Sequence, residues 1–546
     1  MLLKKQKMLR KNIYKWHRTT SLIIAIPVFL WALSGFMHPI MTTFRPKVGT
    51  QFLPPQAIDS SKIKLPLQTA LAQNNVSAIA NFRIVQMAGN YFYQIQLPNN
   101  KVLQYISTQT GKTLKNGDDL YARYIAKQFL QGVKKAEKPL LASTSTVIHQ
   151  ELQKETEATH DCCVNATAAI MNDTTGAKVL STTFIENFDE DYKNINRLLP
   201  AYRVSFDRAD GIRLYVETAQ DRFAFAMDNK RKVFDTIFAW FHTWSWLSFL
   251  GKGRFIVEAL LCFLAIATTL MGLYIFFTTK SKKVAGNAIQ KARYNHRWTS
   301  LVFSLFTLMF TASGAFHALE KLETDDRDSF YISNTFETAS ISMDYAKIVA
   351  SLGERQLTNL SLVKLNNETY WQVFSKKSFN ANTKNDQEKP RGDVMKDKSV
   401  PPPSTIYLHS TTYQPLLNGE RKYAAYLAST FSKNAEKDTT SIEVITKFEG
   451  EYGFVNKRLP VWKVNYPFNS KQRWYVETST GKLAAKVNDN DLIEGFSFDF
   501  LHKHHFMDFA GKSWRDFSTM FAAMSQIIVV IIGLVLWRKA RNKGKA

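Results

Sequence analysis

The chain has 546 residues, 71 Lys and Arg against 46 Asp and Glu, a net charge of +25 and a mean hydropathy of −0.22. That length exceeds one compact domain, and three cysteines exclude a disulfide framework. The excess charge falls in three short segments rather than one patch, which argues against a nucleic-acid surface.

Residues 1–19 hold Lys4, Lys5, Lys7, Arg10, Lys11, Lys15 and Arg18 and no acidic residue. The apolar run 20–38 that follows is long enough to span a bilayer. No small-x-small cleavage site ends it, only His38-Pro39, so it reads as a retained anchor rather than a signal peptide. Residues 39–254 form a large polar region. Within it 66–75 reads as a short amphipathic helix. Residues 91–97 and 101–106 read as a hairpin turning at Pro98-Asn99-Asn100, and 213–225 as another. Residues 134–180 lack periodicity. They contain His160-Asp161-Cys162-Cys163, a set able to bind metal but without a counterpart elsewhere, and read as loop. Adjacent cysteines are badly placed to pair with each other.

The second span is predicted at 255–277. It carries Glu258, either a snorkelling residue at the helix start or part of a proton path, and Cys262, a packing residue. Residues 278–298 are a basic link with Lys280, Lys282, Lys283, Lys291, Arg293 and Arg297. A third span at 299–317 leads to a second large region, 318–516. That region has a short helix at 343–353 and a linker at 376–404 closing in Pro401-Pro402-Pro403. A fourth span at 517–537 precedes the tail 538–546, with Arg538, Lys539, Arg541, Lys543 and Lys545. By the positive-inside rule both termini and the link face the cytoplasm, and both large regions are exported. About four small modules of helix plus antiparallel sheet are expected in them.

The chain repeats itself. His17-Arg18-Thr19-Thr20-Ser21-Leu22 opens one span and His296-Arg297-Trp298-Thr299-Ser300-Leu301 another. Ser34-Gly35-Phe36-Met37-His38 closes the first, and Ser313-Gly314-Ala315-Phe316-His317 the other. Residues 196–204 parallel 456–464, and Arg213-Leu214-Tyr215-Val216-Glu217-Thr218 parallels Arg473-Trp474-Tyr475-Val476-Glu477-Thr478. His242 and His502 each stand nine residues before a Gly-Lys pair. Two pseudo-symmetric halves are implied.

In each half the paired histidines are 21 residues apart, about 31 Å along a helix and about 60° short of whole turns. One imidazole therefore reaches each face of the membrane from one broad side of the helix. His17 and His296 fall in the cytoplasmic layer; His38, His242, His317 and His502 fall in the exported layer. Interfacial anchoring does not require histidine, whereas facing imidazoles in a bundle are how b-type haem is held. His149, His160 and His409 lack repeated context and read as surface residues; His504 and His505 lack first-half partners. Arg18 and Arg297 read either as haem-propionate partners or as orientation charge. Ser34-Gly35 and Ser313-Gly314 permit close approach of a helix or a flat macrocycle. No dinucleotide fingerprint, P-loop, Cys-x-x-Cys-His or nucleophile elbow occurs, so electrons would come from membrane quinol or a separate donor.

The pattern His-Arg-x-x-Ser-Leu, Ser-Gly-x-x-His and Tyr-Val-Glu-Thr resembles the PepSY-associated transmembrane family. This family includes bacterial iron-regulated inner-membrane proteins and dihaem ferric-siderophore reductases. The resemblance covers both halves apart from the linkers. It implies a membrane α-helical fold of four transmembrane helices with α+β PepSY-like periplasmic modules, and two haem b groups held by histidines. By motif match these fall on His17, His38, His242, His296, His317 and His502. Two pairings are open: His17 with His296, or His38 and His317 each with His242 or His502. The activity that the resemblance implies is outward electron transfer reducing periplasmic ferric iron bound to siderophore. The alternatives are a redox-silent PepSY module that binds a ligand or inhibits a protease, and a siderophore permease component.

Overall fold

The structure is a computed structural model describing residues 2–132, 161–173, 175–196, 198–279, 288–323, 330–377, 399–400, 402, 404–467 and 471–543. His149, His160, Lys280, Lys282, Lys283, Lys545 and most of the linker 376–404 lie outside the described residues. The chain divides into a helical unit (Met1–Arg45, Lys230–Asp325 and Asp489–Ala546) and a sheet unit (Pro46–Asn229 and Asp326–Asn488).

Among the described residues the helical unit contains four helices long and apolar enough to cross a membrane. They are α1 (Leu2–Thr43), α6 (Gly253–Thr278), α7 (Ala288–Glu320) and α11 (Lys512–Lys543). α1, α7 and α11 run well past the apolar runs 20–38, 299–317 and 517–537, because helix propensity does not stop where hydrophobicity does. His17 and His38 thus share α1, and His296 and His317 share α7. α1 and α7 each pack against both α6 and α11. Many of the buried positions are small: Ala25, Ala32 and Ser34 on α1, Ala259, Cys262 and Ala265 on α6, Ser313 and Ala315 on α7, Ala522 and Ala523 on α11, beside larger residues such as Ile24, Met41 and Ile527. Small residues let helix backbones approach where apolar surface gives no preference for protein over lipid. Two shorter helices, α5 (Asn229–Phe241) and α10 (Asp489–Ser497), precede α6 and α11.

Among the described residues the sheet unit holds four antiparallel sheets of three or four strands and one two-stranded pair. Counting from β1 (Ala78–Ile79), the first sheet is β2 (Asn81–Met87), β3 (Asn90–Gln96) and β4 (Gln104–Ser107). The second is β5 (Val179–Ile185), β6 (Ala201–Phe206), β7 (Arg213–Glu217) and β8 (Arg222–Met227). After β9 (Phe336–Glu337), which pairs with β1, the third is β10 (Arg355–Leu365), β11 (Glu368–Lys377) and β12 (Thr405–His409). The fourth is β13 (Ser441–Ile445), β14 (Val461–Asn465), β15 (Arg473–Glu477) and β16 (Lys482–Val487). The helices α2 (Leu67–Gln73), α3 (Gly117–Gln131), α8 (Tyr345–Ala350) and α9 (Gly419–Ser432) go with these sheets. Both predicted hairpins and both short predicted helices are present.

The repeat persists at the level of single contacts. The β2–β3 turn at Ala88-Gly89 and the β10–β11 turn at Asn366-Asn367 both take positive φ at two residues, as a two-residue hairpin requires. α3 and α9 each begin with glycine against a tyrosine of the preceding strand. A Cβ on Gly117 would lie 2.8 Å from Tyr105 and one on Gly419 2.7 Å from Tyr407, so no other residue fits. Gln94 donates to the Thr218 carbonyl at 3.0 Å and Gln372 to that of Thr478 at 3.0 Å. The Thr of each Tyr-Val-Glu-Thr segment is therefore gripped by the neighbouring sheet.

The halves also interlock. Phe82, Tyr93 and Ile95 of the first sheet share one core with Trp371, Val373 and Leu360 of the third. Asn359 accepts from the Ile84 N–H at 3.1 Å and Asn81 from that of Leu362 at 3.4 Å. Glu217 and Glu477 meet the same two arginines: Arg222 pairs with Glu217 (3.2 Å) and Glu477, and Arg458 with Glu477 (2.8 Å) and Glu217 (3.6 Å). Both carboxylates are buried, where only such pairing makes charge tolerable.

One reading is corrected. Residues 162–171, read as loop, form helix α4 (Cys162–Met171). Asp161 caps it by accepting the Cys163 N–H at 3.0 Å, and Ala166 and Ile170 bury against the first core. Ten residues are too few for a clear helical period, so the cap is the signal.

Candidate functional site

The histidines of the helical unit collect at two levels of the bundle. At the end where α1 and α7 begin, the His17 Nδ1 lies 3.0 Å from the Thr268 carbonyl of α6. A carbonyl only accepts, so Nδ1 carries the hydrogen and Nε2 keeps its lone pair. Gly272, one turn further on, leaves room for the ring: a Cβ there would meet His17 Cε1 at 3.1 Å. His296 of α7 is placed similarly against α11. Gly533 faces it, a Cβ there falling 3.4 Å from His296 Cε1, and its Nδ1 is 3.4 Å from Ser300 Oγ. The two imidazoles are within electrostatic range of each other.

At the other level the arrangement is duplicated more closely. Ser34 Oγ donates back to the Leu30 and Trp31 carbonyls at 2.8 and 3.0 Å, which leaves its oxygen to accept from His242 Nδ1 at 3.1 Å. Ser313 Oγ donates to the Met309 and Phe310 carbonyls at 2.8 and 3.2 Å and accepts from His502 Nδ1, also at 3.1 Å. Serine in each Ser-Gly motif thus orients a histidine of the following segment, in addition to easing helix packing. His502 sits on a π-helical turn, Phe498–His502, which rotates it inward.

Six rings form a continuous row at this level. His38 lies 5.3 Å from Phe238, Phe238 stacks on His242 at 4.5 Å, and His242 meets His502 edge to face at 5.9 Å. His502 stacks on Phe498 at 4.8 Å, and Phe498 on His317 at 4.5 Å. The row is nearly palindromic. Phe238 and Phe498 stand between each outer and inner imidazole, and the inner pair is in direct contact. Residues of both open pairings are therefore gathered, His17 with His296 at one level and the other four in one row.

Three differences between the halves bear on these histidines. His317 Nδ1 is 2.5 Å from Glu494 Oε1, a carboxylate that fixes its tautomer, while Phe234 stands at the corresponding first-half position. His504, fully buried, occupies the place of Trp244. Its Nδ1 bonds Ser518 Oγ at 2.8 Å, its ring stacks on Phe310 at 5.6 Å, and its Nε2 has no partner among the described residues. Glu258 occupies the place of Ser518 and keeps a buried, unpartnered Oε1. In sequence His504 belongs to the exported layer but ranks below the repeated histidines, because its counterpart in the 260-residue register is Trp244. His505 is tied to Asp508 at 2.8 Å, and His409 packs on Tyr370 in the sheet unit.

Arg297 is committed elsewhere. It donates to Thr279 Oγ1 (2.6 Å) and to the carbonyls of Phe276 (3.0 Å) and Thr279 (2.8 Å), closing the end of α6 and lying over the Phe276 ring. Arg18 is exposed.

Chemically, His17, His242, His296, His317 and His502 are oriented imidazoles, with Nδ1 held by a carbonyl, hydroxyl or carboxylate and Nε2 turned away from that partner. That donor set suits haem iron and other borderline metals rather than hard cations. No family model matches the chain, and no curated protein matches it.

Proposed function

We propose that the protein is a bacterial inner-membrane electron carrier. Its histidines hold two haem b groups, and it passes electrons from quinol or a separate donor to ferric iron, as siderophore, on the periplasmic side. The reading rests on one observation above others: both halves orient an imidazole identically, Ser34 on His242 and Ser313 on His502, each at 3.1 Å through Nδ1.

The residues fit such a group. The Nδ1 contacts of His17, His242, His317 and His502 leave Nε2 free to ligate. Gly272 and Gly533 hollow out the ground before His17 and His296. Haem, when bound there, supplies one-electron exchange between Fe(II) and Fe(III). The chain's part is to set the imidazole tautomers, keep water from the row of rings and separate the two levels across the bundle. The three basic segments support an orientation with both termini in the cytoplasm and the sheet unit, read as PepSY-like modules, in the periplasm. Ferric iron accepting one electron becomes ferrous, which hard oxygen chelators hold weakly.

The test is the reduced-minus-oxidised visible spectrum of the purified protein. A b-type band near two per chain is expected. It should fall by about half in the double variant His38→Ala/His317→Ala or in His17→Ala/His296→Ala, with membrane insertion unchanged. A colourless, folded preparation from haem-replete cells overturns the reading.

A further inference from the structure

The sheet unit carries a second cluster of ligating groups, at the start of α4. One carboxylate oxygen of Asp161 and the sulfurs of Cys162 and Cys163 all lie within 4.8 Å of one another. Both thiols are free and buried. The only other cysteine of the chain, Cys262, is in α6 of the helical unit.

Two features argue against a disulfide. A trans peptide fixes neighbouring Cα atoms about 3.8 Å apart, below the roughly 4.4–6.8 Å a disulfide spans. Helical geometry at Cys162 and Cys163 also sends successive side chains in different directions. What the helix start does is hold two sulfurs and a carboxylate oxygen within 4.8 Å of one another, although the Cα–Cβ bonds diverge. The Asp161 cap fixes its own side chain through Oδ1 and the Cys163 N–H, leaving Oδ2 outward, 2.7 Å from Lys112 Nζ. The Lys112 side chain is 65 % exposed and free to swing into solvent. Around the sulfurs stand hydroxyl groups: Ser107 Oγ at 2.6 Å and Thr110 Oγ1 at 3.7 Å from Cys162, with the Lys112 carbonyl 3.5 Å from Cys163. Hydroxyl donors to sulfur are the outer partners that thiolate ligands take around a metal.

We propose that Asp161, Cys162 and Cys163 bind a thiophilic metal ion of the zinc class. The ion takes two thiolates and one carboxylate oxygen, with water completing four-coordination. Two soft sulfurs select such an ion over magnesium or calcium. On binding, both thiol protons leave to solvent and Lys112 releases the carboxylate. Among the described residues the second half has no equivalent of α4, and its sequence has no cysteine, so the site belongs to one half only. It is independent of the haem reading and can fail or stand without it.

The experiment uses the full chain in detergent, with cadmium as the probe and the thiolate-to-cadmium charge-transfer band as readout, which imidazole or haem ligation does not produce. One saturable equivalent is expected in the wild type and in Cys262→Ala. Loss of the band is expected in Cys162→Ser/Cys163→Ser, and at least tenfold weaker binding in Asp161→Asn. Circular dichroism reports folding of each variant. If the double variant fails to fold, protection of Cys162 and Cys163 from alkylation by cadmium in the wild type decides instead. A folded wild type with no band, a band surviving the double variant, or alkylation unaffected by cadmium overturns the proposal.

Discussion

Ser34 and Ser313, on different helices and 279 residues apart in sequence, do the same thing: each accepts a hydrogen bond from the Nδ1 of a histidine at 3.1 Å. Each frees its oxygen for that task by turning its own hydrogen onto the preceding helical turn. Ser34→Ala and Ser313→Ala should therefore behave alike. Loss of one neutral hydrogen bond costs about 1 kcal/mol of stability, and loss of the hydroxyl that holds a ligating imidazole's other nitrogen costs about 10–100-fold in affinity for the ligated group. Haem retention against a competing acceptor protein measures this; wild-type retention in both variants would show the serines to be packing residues only.

Gly272→Ala and Gly533→Ala should differ in degree. The new methyl would stand 3.1 Å from His17 in the first and 3.4 Å from His296 in the second. Overpacking of this kind costs about 1–3 kcal/mol, with Gly272→Ala the more damaging. Thermal unfolding in detergent ranks them, and the reverse order would contradict the close approach at Gly272.

Arg297→Ala should weaken the α7–α6 contact without removing cofactor, since its donors are turned to the end of α6. A loss of about 1.5–3 kcal/mol is expected for charged hydrogen bonds. Lysine should not restore it, because a point charge cannot replace the guanidinium fork. Loss of haem at unchanged stability would mean that Arg297 serves the cofactor instead.

The buried carboxylates of the sheet unit set its acid limit. Burial alone would raise the Glu477 carboxyl, but Arg222 and Arg458 outweigh it and hold it down to about 2 from an ordinary 4.5. A depressed carboxylate stabilises the fold above its unfolded value and loses that contribution as pH falls. The loss should therefore run between pH 4.5 and about 2 and amount to about 3 kcal/mol. Glu477→Gln should destabilise by about 3–5 kcal/mol at neutral pH, leaving the arginines partly unpaired, and flatten that acid limb. Protease resistance of the full-length protein against pH follows it, and an unchanged acid midpoint would remove Glu477 from the account.

Much of the scaffold was readable because it depends on local signals. Length and hydropathy mark α1, α6, α7 and α11; turn residues mark the hairpin at Pro98-Asn99-Asn100; the duplicated Tyr-Val-Glu-Thr segments mark β7 and β15. The meeting of Glu217 with Glu477 was not readable, since it joins strands 260 residues apart and nothing in either segment names its partner. The ring row was hidden for a related reason. Phe238 and Phe498 sit one turn before His242 and His502 and look like membrane-interface aromatics until the fold packs each against a histidine of another helix. Helix α4 escaped because a ten-residue apolar stretch beside two cysteines has no distinct period.

The shared core of Phe82 and Trp371, with the reciprocal Asn81 and Asn359 bonds, bears on how such a duplicated chain can be divided. A chain cut between its repeats would expose the apolar faces of its first sheet to water. It would also leave Glu217 with Arg222 alone and the strand β1 without its mate. Each fragment would have to find its twin before it could settle, so the two copies are no longer separable proteins.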